Sequence, residues 1–204
     1  MESSKRQIGE CVFHVNHVSG LERQAAWLLS YFEKMQHDGI SFFHGMKLQV
    51  GWSILELRKA ADSYIVFEPD FSKNPLVDFR PDVSVTLQVQ FSQVDLINRL
   101  NLVPTETSFQ DKIIFAKGSL DEGKIYLERV SPRPEKGDSG WFIGFVNGNN
   151  DPSNLQSGFV YQLLYLRPIL LQFLLLPAGS MVVLDGSKVE AILDHDGNPL
   201  PIRP

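Results

Sequence analysis

The stretch MKLQVGWSILELRKAADSYIVFE, Met46 to Glu68, decides the fold class. Leu48, Val50, Trp52 and Ile54 recur at every second position, as do Tyr64 and Val66, and side chains two apart lie on one face of a strand. Ala60-Ala61-Asp62 is a short connection. The spacing predicts a β-hairpin, with one strand from Met46 to Lys59 and a second from Ser63 to Glu68. Glu68-Pro69-Asp70-Phe71 closes it, because Pro donates no ladder hydrogen bond. Upstream the period changes. Leu21, Ala25, Leu28, Leu29, Phe32 and Met35 are three and four residues apart, with charges on the rest of the wheel, so Gly20 to Gln36 is an amphipathic helix that Gly39 stops.

Downstream, Val83, Val85, Leu87, Val89 and Phe91 alternate with Asp82, Ser84, Thr86, Gln88 and Gln90, which predicts a strand. A helix is expected after it, with Ser92 as N-cap and Leu96 and Leu100 on one side. Asn101 to Ser108, which contains Pro104, is the expected link between two lobes, residues 1–104 and 105–204. Beyond it, Lys112–Ala116, Lys124–Val130 and Trp141–Val146 are expected strands. Ser157–Leu166 is an expected helix, and Pro168 starts another that runs to Leu176. A terminal hairpin, Met181–Leu184 with Lys188–Leu193, turns at Asp185-Gly186. Helices and strands in this order give an α+β fold, with mixed or antiparallel sheets and packed helices.

Composition bounds the function. The 204 residues carry 19 Lys+Arg and 24 Asp+Glu, a net charge of −5, with 43% hydrophobic residues and one Cys. A chain so constituted buries a core and is not disordered. Cys11 alone makes no intramolecular disulfide. Neither half of the sequence is basic and no Lys/Arg stripe occurs, so nucleic acid is not the expected partner. The N-terminus is polar where a secretory signal would be apolar, which places the protein in the cytoplasm as an expectation. Leu163–Leu176 is too short to span a membrane and is broken by Arg167 and Pro168, so a buried core helix is expected there.

Most chemical signatures are absent or incomplete. Gly137-Asp138-Ser139-Gly140 matches the start of the trypsin-like nucleophile string, but Trp141 follows and no His stands in a matching context. Cys11, His14 and His17 are three potential ligands without a fourth, in a segment that alternates as a strand and would turn Cys11 and His14 to opposite faces. Asp194-His-Asp-Gly-Asn-Pro starts like a calcium loop but has Pro199 where the Gly belongs, and is expected to be a turn. No Walker A loop, Gly-x-Gly-x-x-Gly, Gly-x-Ser-x-Gly or His-Glu-x-x-His occurs. The acids Glu68, Asp70, Asp78 and Asp82 surround Pro69, Pro75 and Pro81 and fit a solvated loop. No catalytic residue, metal or cofactor is expected.

Three elements in order remain: Gly123-Lys-Ile-Tyr-Leu-Glu-Arg129; Asp138-Ser-Gly-Trp-Phe-Ile-Gly144; and Leu176-Pro-Ala-Gly-Ser180 after the helix with Pro168. Together they resemble a family of bacterial immunity proteins, long catalogued as a domain of unknown function, with a D-S-G-W motif and a leucine-proline-glycine element near the C-terminus. The resemblance covers Thr105 onward. The loop Ser131-Pro-Arg-Pro134 departs from the family's shorter or more acidic one, and the N-terminal half has only a general likeness. The resemblance implies a cytoplasmic protein that binds and neutralises a cognate toxin of the polymorphic or type VI-secreted kind, without catalysis. A small-molecule-binding protein or small hydrolase with a pocket between the lobes is the second reading.

Within this expectation an acidic surface steers a basic toxin. The expected contact residues are Asp138, Ser139 and Trp141, with Trp52, Phe71, Glu68 and Asp70 from the N-terminal lobe, since aromatics in partly buried patches carry binding energy. The same D-S-G-W residues also have a structural reading, as a turn that needs Gly140 and a strand anchored by Trp141.

Overall fold

The computed structural model describes residues 1–201. It is an α+β fold with two mixed sheets, as the order of helical and alternating segments implies. The chain divides into two compact units, Met1–Phe91 and Ser92–Pro204.

In the first unit the strands are β1 (Glu2–Ile8), β2 (Cys11–His17), β3 (Met46–Val50), β4 (Ser53–Ala60), β5 (Ser63–Pro69) and β6 (Phe79–Arg80), with helix α1 (Glu22–His37) between β2 and β3. The sheet order is β1-β2-β5-β4-β3, with β6 on β5. β2 and β5 are parallel, whereas the hairpins are antiparallel. The buried stripe of α1, Ala25, Leu28, Leu29 and Phe32, belongs to a core with Phe13, Val15, Leu55, Leu57 and Val66. Phe13 sits 5.0 Å from both Phe42 and Tyr64, ring centre to ring centre, and 5.5 Å from Phe32. α1 stops as expected, with Gly39 at φ 89°.

The hairpin across Ala61 is present, but the expected first strand is two. Gly51, at φ 56°, turns the chain between β3 and β4. A Cβ there would displace the Gln90 side-chain amide, 1.3 Å away, and would in addition sit on a backbone with a positive φ that side chains rarely adopt, which is why glycine is favoured.

The largest correction concerns residues 83–91. They are not a strand but the first half of helix α2 (Ser84–Leu100). Val83, Thr86, Leu87, Val89, Gln93, Leu96, Ile97 and Leu100 are buried, while Gln88, Phe91, Val94, Asp95, Asn98 and Arg99 are exposed. That is a period near 3.6 running unbroken through both halves. Small uncharged Ser84 and Thr86 bury as readily as the valines around them, so alternation of hydrophobicity misleads here. Asp82 stands at the entrance, accepting hydrogen bonds from the Ser84 amide and hydroxyl.

The second unit contains β7 (Lys112–Ala116), β8 (Lys124–Arg129), β9 (Asp138–Phe145), β10 (Leu155–Phe159), β11 (Met181–Asp185) and β12 (Lys188–Leu193). The order is β10-β7-β9-β8-β11-β12, with β7 and β9 parallel and the other pairs antiparallel. The expected terminal hairpin forms, but its two-residue turn is Gly186-Ser187, one position later than expected, because Asp185 still pairs with Lys188 as the last residue of β11. Ser157–Leu166 is not one helix: residues to Phe159 belong to β10, and a single helical turn, α3 (Leu163–Leu166), follows. Nor is Leu163–Leu176 a core helix. Arg167 leaves helical geometry, and Pro168–Phe173 is a run of 3₁₀ turns that buries Leu170, Leu171 and Phe173. Pro168 does take the first turn, where its missing N–H costs nothing. No described helix is long and apolar enough to cross a membrane.

Candidate functional site

In the second unit the three elements Gly123–Arg129, Asp138–Gly144 and Leu176–Ser180 converge on one side chain. β8 alternates Ile125, Leu127 and Arg129 inward, so the guanidinium enters the core and is 1% exposed. Its Nη1 donates to the carbonyls of Thr105 (2.8 Å), Leu174 (2.9 Å) and Leu176 (2.6 Å), and Nη2 to the Glu106 carbonyl (2.9 Å) and the Thr107 hydroxyl (2.7 Å). Nε donates to the Ser139 carbonyl at 3.2 Å. The guanidinium lies 5.4 Å from the Trp141 ring centre, and the Trp141 indole N–H donates to the Leu174 carbonyl. Burial lowers the Arg129 pKa to about 10, partly offset by the field of Asp111, so the group is charged at neutral pH. Its positive charge is dispersed over carbonyl dipoles that belong to otherwise irregular backbone.

The D-S-G-W turn is built from the same economy of donors and acceptors. Asp138 accepts from the Gly140 amide and from Arg133, and these contacts, the Gly140 amide foremost, hold its carboxyl below the usual range. The Ser139 hydroxyl donates to the Lys112 carbonyl and accepts from the Trp141 amide, so it is committed to the backbone. Gly140 has φ 74°, and a Cβ there would meet the Val130 carbonyl oxygen at 2.3 Å. Gly140→Ala should therefore lower the unfolding free energy by roughly 2 kcal/mol. A urea titration checks this; an unchanged midpoint would mean that the turn relaxes freely.

In the first unit Glu68 is fully buried at the end of β5. One carboxylate oxygen accepts from Arg80 Nη2 at 2.7 Å and Nε at 3.1 Å, and the other accepts from the Thr86 amide at 2.7 Å. The Thr86 hydroxyl continues the network to Ser53. Burial pushes the Glu68 carboxyl up to about 7, against the pull of the Thr86 amide and Arg80. Burial is the largest single influence on Arg80 and pulls its pKa down, but Glu68, Asp82 and Asp70 together outweigh it and leave the guanidinium raised. Beside this network Trp52 stacks on Phe71, centres 5.3 Å apart and planes 7° apart. Asp70 accepts from the Ser72 amide and hydroxyl, holding a loop.

Of the seven expected contact residues, Trp52, Phe71, Glu68, Asp70, Ser139 and Trp141 are buried, and Asp138 alone is half-exposed. Four lie together in the first unit and three in the second. The residue that sequence reasoning missed is Arg129. Its signal was present: an arginine continuing the alternation of Ile125 and Leu127 points to the core face.

Among the described residues, two groups place potential metal ligands close together: Glu2, His17 and Glu22, and Asp194, His195 and Asp196. In the first, both ring nitrogens of His17 have partners, the Ser4 hydroxyl and the Val18 carbonyl. In the second, Asp194 accepts from the Asp196 and Asn198 amides and organises a turn, as expected for that segment. Cys11 and His14 are both half-buried, and only His17 of the three early candidates is fully enclosed.

An α+β chain whose second sheet is organised around a buried arginine and a glycine turn matches a known family model over residues 92–195, described as an Imm33-like domain. That span is just over half of the 204 residues, and the chain belongs to the Imm33-like family. No curated protein and no solved structure matches it. The family is an immunity-protein family.

Proposed function

We propose that the protein binds and neutralises a cognate bacterial toxin, as a stoichiometric inhibitor that acts in the cytoplasm. The observation that carries this reading is the family match over the second unit. The geometry agrees with it. The serine of the D-S-G-W turn and the buried Arg129 and Glu68 are each engaged in holding backbone, and none is aimed as a nucleophile or base at an accessible point. A toxin of the polymorphic or type VI-secreted kind, with a basic surface, suits the net charge of −5.

Expression of the toxin gene that adjoins this chain's own gene should arrest cells, and co-expression of the chain should restore growth. The two proteins should co-purify as a 1:1 complex. Rescue that requires at least one immunity chain per toxin supports inhibition by occupancy. Rescue at a small fraction of that ratio would sink the stoichiometric mechanism, and toxicity undiminished with no complex would sink the reading altogether.

A further inference from the structure

The second sheet has two unlike faces. Ile113, Ile125, Leu127, Trp141, Ile143, Val182, Leu184 and Ile192 point inward and are buried. The opposite row crosses all six strands in register: Ser157, Ile114, Phe142, Glu128, Met181 and Leu193. Every one of these is half-buried or exposed, with Ile114 at 38%. In the next row Gly144, Tyr126, Val183 and Ala191 are paired neighbours. Gly144 leaves room for two rings: a Cβ there would lie 2.7 Å from Phe142 and 2.8 Å from Tyr126. Those rings meet edge to face at 5.8 Å, directly over the glycine.

This is a largely apolar face with one charge in its middle. Glu128 stands between Phe142 on β9 and Met181 on β11. Among the described residues no cation pairs with it, whereas the more peripheral Lys124 and Glu190 pair with each other at 2.9 Å. Partial burial and the neighbouring Glu128 both raise the Tyr126 pKa, so the carboxylate's field reaches the ring's hydroxyl. An unpaired carboxylate among apolar side chains is costly to cover unless the covering surface supplies a cation.

We propose that this face, centred on Tyr126, Phe142 and Glu128, is the docking surface for the toxin, and that the toxin seats an apolar patch on it with a lysine or arginine against Glu128. The inference rests on the immunity reading and deepens it by naming the surface and the partner's chemistry. A second copy of this chain is the wrong occupant. An isologous contact through the middle of the face would bring two Glu128 carboxylates together near the twofold axis. Six strands about 4.8 Å apart give a face about 24 Å wide, the scale of the dehydrated centre of a standard interface, with Lys112, Lys124 and Glu190 toward the rim.

The test uses the full chain and the toxin encoded by the adjoining gene, with affinity measured by titration calorimetry. Glu128→Arg and Tyr126→Ala should each weaken binding about 100-fold, the charge reversal mainly through faster dissociation. Trp27→Ala, an exposed aromatic on α1 of the other unit, should leave it unchanged. Circular dichroism melts verify that each variant is folded, and Glu128→Gln provides a milder replacement if the reversal perturbs folding. Wild-type binding that survives both face substitutions overturns the surface while leaving the immunity reading intact. A chain that is dimeric alone, and monomeric after Tyr126→Ala, assigns the face to a second copy and overturns the proposal. Absence of any complex with wild type removes the immunity reading and this surface with it.

Discussion

Replacing Arg129 with Met should cost about 5 kcal/mol and leave the second unit unfolded or molten at 37 °C. The methionine matches the length of the side chain but donates nothing. The carbonyls of Thr105, Glu106, Ser139, Leu174 and Leu176 and the Thr107 hydroxyl would all lose a donor together. Some have a second partner: the Leu174 carbonyl still accepts from Thr107 and Trp141. Even so, a buried acceptor left bare costs about 1–3 kcal/mol. Arg129→Lys should recover little, since a compact ammonium with three donors cannot reproduce a planar fork that serves six oxygens. Near- and far-ultraviolet circular dichroism with a thermal melt checks both variants. A cooperative Arg129→Met transition within a few degrees of wild type would show that the guanidinium is dispensable to the irregular segment it ties down.

Glu68 gives the second large effect, as a dependence of stability on pH. Its carboxyl has a pKa of about 7 in the folded protein against an ordinary value of 4.5. As pH rises through that window the unfolded chain releases the proton first, so the native state holds more protons and loses stability with increasing pH. The shift corresponds to about 3 kcal/mol, fully present as a penalty above pH 7 and absent below pH 4.5. Glu68→Gln, which stays neutral throughout, should remove this component. The difference between wild-type and variant unfolding free energies, measured by urea titration at pH 4.5, 5.5, 6.5 and 7.5, should therefore change steeply between the first and third values. A constant difference across the series would mean that Arg80 and the Thr86 amide keep the buried carboxylate ionised.

The parts of the fold that were legible in sequence are those in which local chemistry and tertiary environment agree. In α1 the apolar stripe from Leu21 to Met35 and the glycine at 39 satisfy helix geometry without outside help. In β11 and β12 alternation surrounds an Asp-Gly pair suited to a tight turn. Residues 83–91 show the opposite case. Their β-branched residues and strict alternation suit a strand, but packing selects a helix in which Ser84 and Thr86 are interior, and burial outweighs intrinsic preference. The leucine-rich run after Leu163 contains enough apolar residues for a helix. Arg167, however, donates to the Glu122, Gly123 and Gly186 carbonyls, and these contacts hold the chain where a continuous helix would not pass.

The candidate sites divide in the same way. The aromatic and acidic residue types singled out in sequence do form clusters, Trp52 with Phe71 and Glu68 with its backbone-amide and guanidinium partners. Sequence spacing contains no information on which flank of a strand will be covered, and so it did not distinguish Trp141, facing the core, from Phe142, one residue on and facing outward.

By itself the sequence determined the α+β class, the last hairpin and the requirement for glycine in the D-S-G-W turn, because each is dictated by short-range sterics and periodicity. Only the tertiary structure decided that α2 is a helix throughout, that Arg129 binds six oxygens from three separated segments, and that Tyr126, Phe142 and Glu128 share an open face. Those outcomes depend on strand order and register, where residues far apart in the chain compete for the same buried space, and burial and hydrogen bonding are settled by which of them meet.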